Sequence, residues 1–246
     1  MFFTATTEKE KPDLYIQLVD TADKLYTENE MVKIYELLIQ HKECDNANIL
    51  WRLARAARDK GKLVKDKEVQ KQCVYEAFQY AERALELDDQ NFACHKWYAI
   101  MLNYRGEYEG TKKQISNAFL VKTHFLKAIE LNPKDATSIH SIGQWCFVFA
   151  DLAWYERKLA AALFATPPTA TYSEALHYFQ LAEEVDPFFY SKNLLMIGKT
   201  HLRMKNYKLA TDFLQKARDY PVKTPDDQEA HDESIKLLNG LGVKTD

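Results

Sequence analysis

The fold of this chain is decided by a stretch near its middle, AIELNPKDATSIHSIG, which runs from Ala128 to Gly143. A small residue stands at each end of the stretch. Between them Asn132-Pro133 stops a helix, because proline lacks the backbone N–H that a helix needs and its ring clashes with the preceding turn. The stretch therefore predicts the end of one helix, a turn and the start of a second helix, with small residues where helices pack closely.

The same arrangement of small residue, helix stop and small residue occurs twice more. These copies are Ala84 to Ala99, around Leu87-Asp88-Asp89, and Ala182 to Gly198, around Val185-Asp186-Pro187. The small residues lie 15 positions apart in two copies and 16 apart in the third. Plain amphipathic helices do not require a fixed interval, whereas tetratricopeptide-type repeats of paired antiparallel helices do. We therefore predict a repeat of helical hairpins.

The second helix of each hairpin carries small and apolar residues at steps of four and three, which places them on one helix face. These trios are Ala77, Ala81 and Ala84; Val121, Phe125 and Ala128; Ala175, Phe179 and Ala182; and Ala210, Leu214 and Ala217. No proline lies between Pro12 and Pro133, which also favours helices. The predicted fold is all-α: a right-handed superhelical stack of tetratricopeptide-like hairpins with elongated or inserted helices.

The predicted hairpins differ in length. The small residues of one hairpin are separated by 30 positions (Ala54 to Ala84), 29 (Ala99 to Ala128), 39 (Gly143 to Ala182) and 19 (Gly198 to Ala217). Only the last separation fits an ordinary 34-residue repeat. We expect insertions in the first three hairpins, and in the third an additional helix from Trp154 to Phe164, closed by Thr166-Pro167-Pro168.

These elements predict a flexible N-terminus over residues 1–12 and one repeat domain over residues 13–242. The domain would contain about five hairpins, of which the first pairs Asp13–Thr27 with Glu30–His41. Leu14, Leu18, Leu25, Tyr35 and Leu38 would point inward there. A capping helix from Asp226 to Asn239 would close the array at Gly240, with its acidic first half solvated near the helix N-terminus.

Composition excludes several classes of function. The net charge of −3 gives no general attraction to nucleic acid or to acidic membranes. The cysteines Cys44, Cys73, Cys94 and Cys146 lack a C-x-x-C spacing, which favours reduced, buried thiols in a reducing compartment.

No secretory signal or transmembrane segment is expected. Met1 to Lys11 lacks a basic start and an apolar core. The most apolar run, Cys146 to Ala165, contains Asp151, Glu156, Arg157 and Lys158, and charges are costly inside a bilayer. We interpret this run as a buried helix of a soluble protein.

Four longer motifs resemble the regulator of microtubule dynamics family, and the similarity extends from about Thr21 to Ala217. The motifs are HKWYAI at 95–100, NPKDATS at 132–138, the run from Trp154-Tyr155 to LFATPP at 163–168, and YSKNLL at 190–195. The resemblance implies a cytosolic tetratricopeptide-like protein at microtubules, spindles and spindle poles, needed for spindle organisation and chromosome segregation. Other members carry an N-terminal membrane anchor. Because no anchor precedes Met1, we expect a soluble member.

No pattern of catalytic or metal-binding residues is present. The seven histidines form neither H-E-x-x-H nor zinc-finger spacings with cysteine. Gly240-Leu241-Gly242 is not a dinucleotide loop, because no strand precedes it and no helix follows. We therefore expect a protein-binding scaffold, with no enzymatic activity, no cofactor and no metal.

A cluster of cations is the first candidate site. Eight basic residues lie between positions 52 and 71 against three acidic ones. The predicted basic patch consists of Arg52, Arg55, Arg58, Lys60, Lys62, Lys65, Lys67 and Lys71. Such a patch would hold the disordered, glutamate-rich tails of tubulin or an anionic lipid. The alternative is a solvated helix end with a polar loop.

A concave groove is the second candidate. Its residues are Lys96, Trp97, Tyr98, His140, Trp145, Phe149, Trp154 and Phe164. Aromatic residues at such positions more often belong to the core. If they enclose a hollow instead, the chain would be a lipid-binding or lipid-transfer module for phospholipid at organelle contact sites. A core filled by its own side chains would favour the scaffold and its contacts with other spindle proteins.

A third candidate lies at the N-terminus. Phe2-Phe3-Thr4 resembles the two-phenylalanine motif that endoplasmic-reticulum receptors of the major-sperm-protein type bind, in the variant with a phosphothreonine. The acidic stretch that normally precedes this motif is missing. The alternative is a disordered N-terminus without a receptor.

Overall fold

The structure is a computed structural model that describes residues 11–164 and 168–243. Within these residues it contains twelve α-helices and no strand, which confirms the all-α prediction. The described residues group into two compact units, unit 1 and unit 2, with the boundary between residues 108 and 109. The single repeat domain over residues 13–242 stays a prediction. Next to the boundary, Gly110 has a φ of 93°, a left-handed backbone conformation that glycine adopts without strain.

Unit 1 is built from five helices. They are α1 (Lys11–Thr27), α2 (Met31–Ile39), α3 (Ala47–Lys62), α4 (Lys67–Leu87) and α5 (Phe92–Glu109), of which α5 ends one residue past the boundary. Asn46 and Asp66 cap the N-termini of α3 and α4. Their side chains accept hydrogen bonds from backbone N–H groups of the first turn, which have no hydrogen-bond partner within the helix. The first hairpin starts two residues earlier than predicted. Leu18 and Leu38 are buried in its core as predicted.

Unit 2 contains seven helices. They are α6 (Thr111–Leu131), α7 (Ala136–Asp151), α8 (Trp154–Leu163), α9 (Tyr172–Val185), α10 (Ser191–Arg203), α11 (Tyr207–Arg218) and α12 (Pro225–Gly240). Helices α7 and α9 pair, as do α10 and α11, and α12 packs on the second pair. The predicted capping helix therefore exists, and Pro225 at its first turn needs no hydrogen-bonded N–H there.

The small residues lie where helices approach closely, as the sequence predicted. A Cβ atom on Gly143 of α7 would come within 2.7 Å of the Phe179 ring of α9. A Cβ on Gly198 of α10 would lie 2.8 Å from the Leu214 side chain and 3.2 Å from its backbone nitrogen in α11. Both distances are shorter than van der Waals contact, so glycine permits the close packing of each hairpin.

The insertions predicted from unequal spacing lengthen the helices. Helices α4 and α6 have 21 residues each, whereas α11 of the last hairpin has 12. The additional helix predicted in the third hairpin is α8. The Phe164 ring just after α8 contacts the Phe119 ring of α6 edge to face, with centroids 5.0 Å apart.

The apolar run from Cys146 to Ala165 is not one buried helix, and that prediction was wrong. Helix α7 ends at Asp151, and α8 begins at Trp154 after a break in which Glu156 accepts a hydrogen bond from the Ala153 N–H. Only Ala160 of α8 is buried. Its first residues are strongly exposed, Trp154 at 70% and Tyr155 at 58%, because α8 packs along one side only, against α6.

Candidate protein-binding surfaces

The three arginines of the predicted basic patch form a row along α3. Arg52 binds the carboxylate of Asp23 on α1 with two donors, Nε at 2.8 Å and Nη2 at 2.6 Å, and Nη1 donates to the Asn48 carbonyl at 3.0 Å. This hydrogen bonding by Arg52 lowers the pKa of Asp23, against the opposing effect of burial. Arg52 is therefore a fixed part of the contact between α1 and α3.

Arg55 and Arg58 are also largely covered. The Arg55 guanidinium stacks on the Tyr26 ring at 3.6 Å, and burial lowers its pKa. Arg58 binds Asp59 at 2.7 Å and donates to the hydroxyl of Tyr104 on α5. The arginine half of the predicted patch thus lies inside unit 1. Steps of three do place the arginines on one helix face, but that face packs against α1 and α5.

The lysine half of the predicted patch extends from the end of α3 into the start of α4. We call Lys60, Lys62, Lys65, Lys67 and Lys71 the lysine loop. Lys65 and Lys67 are exposed and the other three are half-buried, with the Lys60 ammonium 3.8 Å from the centre of the Tyr35 ring. The nearby carboxylate of Asp66 accepts hydrogen bonds at the N-terminus of α4. The lysine loop is the part of the patch that reaches solvent.

The groove residues are divided between the two units. Trp97 of α5 and His140 and Trp145 of α7 are buried. Lys96 lies over the Phe92 ring at 5.1 Å, and Tyr98 contacts the Phe78 ring at 5.6 Å. Phe149 and Phe164 are half-buried, and Trp154 is exposed. Trp97, His140 and Trp145 thus belong to the cores of their own units, and the predicted groove stays a prediction for the less buried residues.

The Trp145 side chain is held by contacts within its own unit. The Trp145 ring packs on the Phe149 ring at 4.4 Å, and its Nε1 donates to the Ala118 carbonyl at 2.9 Å. The space that remains nearby is a cleft of about 290 Å³, at the lower end of the range for ligand sites. It is lined by Phe149, Ala150, Leu152, Arg157, Ala160, Pro168, Thr169 and Ala170.

His140 belongs to a buried polar network that sequence reasoning missed. Its Nδ1 lies 2.9 Å from Oδ1 of Asn193, whose Nδ2 donates to the Phe179 carbonyl and to Glu183. Since Nδ2 is used for donation, Oδ1 must accept, and Nδ1 of His140 carries the proton. Burial is the main cause that lowers the pKa of His140 to about 4, so the ring is neutral at physiological pH.

The acidic first half of α12 is solvated only in part: Glu229 and Asp232 are exposed, whereas Asp226 and Asp227 are half-buried and buried, contrary to the prediction. Asp226 accepts hydrogen bonds from Tyr190 and Lys192 of α10, and Asp227 accepts one from Ser191 at 2.7 Å. Asp227 also closes a capping box with Thr224. The acidic residues therefore serve both the helix N-terminus and the contact with α10, and one helix seen alone shows only the first role.

The four cysteines are free thiols, as predicted. Three are buried, and Cys44 is partly exposed. Burial raises the pKa of the Cys146 thiol to about 11 and that of Cys94 to about 12. Thiols with such pKa values are poor nucleophiles at neutral pH, which fits residues that serve packing.

Three further observations concern the described part of the chain. Across residues 11–164 and 168–243, no three His, Cys, Asp or Glu residues are grouped so that they could hold a metal ion. In the same ranges, no helix combines the length and the apolar composition needed to cross a membrane. The Phe2-Phe3-Thr4 motif lies outside the described residues.

Comparison with known proteins gives the family. The family model described as regulator of microtubule dynamics protein 1-3 matches residues 18–242. The chain belongs to this family. Regulator of microtubule dynamics protein 1 from Pongo abelii is 53% identical over 229 residues, which are 93% of this chain and 73% of that protein. The protein of the same name from Mus musculus is 54% identical over 92% of this chain and 74% of its own length.

More distant comparisons fit the same assignment. Regulator of microtubule dynamics protein 3 from Xenopus laevis is 39% identical over 80% of this chain and 43% of that protein. Among solved structures, a thermophilic tetratricopeptide protein from Thermus thermophilus aligns with a TM-score of 0.62 and 12% identity, over 91% of this chain and 98% of that one. This likeness confirms the tetratricopeptide-like fold.

Two of the motifs that resemble the regulator of microtubule dynamics family have structural roles in this member. In NPKDATS, the Asp135 carboxylate accepts a hydrogen bond from the Ser138 N–H at 3.0 Å and caps α7. In YSKNLL, the first three residues bind α12, and Asn193 joins the His140 network. These motifs therefore stabilise the fold of unit 2.

Proposed function

We propose that this chain is a non-catalytic, microtubule-associated scaffold that acts through protein–protein contacts. Its membership of the regulator of microtubule dynamics family and its 53% identity to a relative of that name support a role at microtubules. A repeat of helical hairpins supports a scaffold, because such repeats present extended surfaces to protein partners.

The observation that supports a direct microtubule contact is the exposure of the lysine loop. Tubulin tails are disordered and rich in glutamate, so several cations at the surface suit them better than one deep pocket. Lys65 and Lys67 are exposed. Asp66, which stands between them, accepts hydrogen bonds from two backbone N–H groups. Binding of this kind weakens as salt screens the charges.

Charge reversal of the lysine loop tests this proposal. We expect the triple variant Lys62→Glu, Lys65→Glu, Lys67→Glu to weaken microtubule co-sedimentation about tenfold or more, because attraction becomes repulsion. The wild-type protein should also lose binding as salt is raised. Arg58 is left unchanged, because its reversal would break the contact with Asp59 inside unit 1.

A matched control places the same charge change in unit 2. Lys112, Lys113 and Lys208 are exposed, and their replacement by glutamate should leave co-sedimentation close to the wild-type level. Equal losses in both triple variants would show that net charge alone matters. Full binding by the lysine-loop variant would remove this surface from the proposal.

We further propose, from the family resemblance, that the protein acts in the cytoplasm at spindles and spindle poles, with other spindle proteins, in spindle organisation and chromosome segregation. The lysine-loop variant gives the corresponding cellular test. In cells that depend on it, we expect weaker concentration at spindle poles and more segregation errors than with the unit 2 control.

A second candidate function is the binding of a lipid, and the cleft beside Phe149 and Ala160 is the observation in its favour. Native mass spectrometry of the purified protein would detect a phospholipid that is retained there. If the chain is only a scaffold, we expect no bound phospholipid. A lipid that is present in the wild-type protein and absent from Ala160→Trp, in which the indole fills the cleft, would support the second candidate.

A further inference from the structure

Two buried guanidinium groups on α3 share one carboxylate. Arg52 holds Asp23 at hydrogen-bonding distance with two donors, whereas Nη2 of Arg55 lies 3.7 Å from the same carboxylate. That separation is too long for a hydrogen bond. The neighbouring carboxylate of Asp59 is bound by Arg58. The pair formed by Arg52 and Arg55 thus has one positive charge more than Asp23 neutralises.

Arg55 has donors that the described residues do not use. Its Nε and Nη2 are buried and make no hydrogen bond within the described part of the chain, although the side chain is only 9% exposed. A buried charged donor without an acceptor is unfavourable. The burial that lowers the pKa of Arg55 reflects the same cost. An anion that accepts hydrogen bonds from Nε and Nη2 of the guanidinium would remove this cost.

The surroundings of Arg55 favour a carboxylate over a phosphate. The rings of Tyr26 and Trp51 lie near the Arg55 guanidinium, with their centres at 3.6 and 5.3 Å, and its N–H groups donate within the guanidinium plane. The edge that carries Nε and Nη2 matches the two oxygens of a carboxylate. The Asp23 carboxylate close by repels a dianion more than a monoanion, and the aromatic rings suit the apolar stem of a glutamate side chain.

The site can be reached from solvent past two side chains of α1. Asp23 is 47% exposed at its side chain, and Tyr26 is 40% exposed. A change of rotamer at a partly exposed tyrosine is fast compared with peptide binding. Movement of Tyr26 would therefore uncover the face of Arg55 on which it stacks, and with it a route to the adjoining edge, without a change in the backbone.

We propose that Arg55, supported by Arg52, binds a glutamate side chain of an acidic peptide. This rests on the proposed function, because it names a specific contact for the acidic partner of the lysine loop. Arg55 and Lys62 lie two turns apart on the same face of α3, a rise of about 10 Å. An extended peptide covers that distance in about three residues. One glutamate at Arg55 thus places the following acidic residues at the lysine loop.

Calorimetric titration of the full chain tests the site with three probes: octaglutamate, octaglutamine and inorganic phosphate. We expect octaglutamate to bind and the other two to bind at least about tenfold more weakly. Arg55→Gln should lower the affinity for octaglutamate about tenfold, as expected for loss of a charge-assisted bidentate contact. Arg55→Lys should also lower it, because an ammonium lacks the planar fork. Lys113→Gln removes one positive charge from the exposed surface of unit 2 and should have no effect.

For a second variant we expect tighter binding of octaglutamate. Asp23→Asn removes the carboxylate that competes for the guanidinium pair, so the affinity for octaglutamate should rise. Thermal unfolding of each variant verifies that it folds. Should Arg55→Gln be unfolded, Asp23→Asn still decides, since unchanged or weaker binding there would contradict the proposal.

Several results would overturn the assignment. Equal affinity of the wild type and Arg55→Gln for octaglutamate would exclude Arg55. Phosphate binding as tight as that of the peptide would indicate a general anion or headgroup site. If the lysine-loop variant loses microtubule binding while Arg55→Gln keeps its affinity for octaglutamate, the Arg55 site is refuted and the proposed tubulin contact stands. If the lysine-loop variant keeps microtubule binding while Arg55→Gln binds octaglutamate more weakly, the Arg55 site stands and the proposed tubulin contact is refuted.

Discussion

His140 shows at the scale of one residue how burial sets chemistry. The ring is enclosed by Phe179, Phe189 and Tyr190, with centroids 5.3, 6.3 and 5.4 Å away. Its Nδ1 makes a polar contact with Asn193. Burial lowers its pKa, and the nearby Lys192 ammonium acts in the same direction. The residue therefore supports the packing of α7, α9 and α10 in its neutral form only.

This shift predicts a loss of stability in acid. Above pH 6.5 the ring is neutral in the folded and unfolded chains, so it adds no pH dependence. As the pH falls from 6.5 towards the folded pKa of about 4, only the unfolded chain gains the proton. Folding should then lose up to about 3 kcal/mol from this group. Below pH 4 the loss levels off.

Urea unfolding of the wild type and His140→Gln between pH 7 and pH 4 measures this contribution. The glutamine amide can still donate to Asn193 but does not titrate. We expect the free energy of unfolding to fall less steeply with acid in the variant. The matched control is His177→Gln, at an exposed position of α9. Parallel curves for the wild type and His140→Gln would contradict the assignment.

Helix α12 shows, at the scale of one element, how a capping helix is held by ion pairs as well as by apolar contact. Leu194, Leu214 and Leu238 are buried together where α10, α11 and α12 meet. Beside them Lys192 binds Asp226 at 2.8 Å and Glu229 at 2.7 Å. Burial would by itself lower the pKa of Lys192, but these carboxylates raise it. The ammonium is thus part of the interface.

We predict that Lys192→Met weakens the docking of α12. Asp226 would remain largely buried without its cation, which should cost about 1.5–3 kcal/mol of unfolding free energy. Glu229→Gln is the control at the same ion pair, and it should cost less than about 1 kcal/mol because Glu229 is exposed. Urea unfolding of both variants gives the comparison. Equal losses would mean that Lys192 contributes only as a surface charge.

At the scale of the whole molecule, the two units differ in where their charge reaches solvent. Unit 1 carries the lysine loop and the guanidinium pair of α3, which are the surfaces proposed for acidic partners. Unit 2 pairs charges between its own helices, in the half-buried contact of α12 with α10 and in the exposed ion pair of Arg203 with Asp151 at 2.7 Å. Mutations that impair binding should therefore fall mainly in unit 1, where a change at Arg52 would also weaken the contact between α1 and α3.

The sequence by itself determined the helices and their pairing within hairpins. The recurring small residues, with helix stops between them, depend on local rules, because a proline ends a helix and a glycine allows close packing wherever the hairpin lies. The same holds for the elongated helices, for the additional helix α8 and for the capping helix α12. The family motifs were recognisable for the same reason, since they are contiguous in the chain.

Only the tertiary structure decided which polar side chains remain available. Arg52, Arg55 and Lys65 belong to one run of basic residues in the sequence. Helix α1 covers Arg52 and Arg55, whereas Lys65 is exposed. The partners of Arg52 and of Lys192 lie 29 and 34 positions away, beyond the reach of any pattern within one helix. Burial and pairing of charges depend on which helices pack together. For this reason the predicted basic patch separates into covered arginines and the lysine loop.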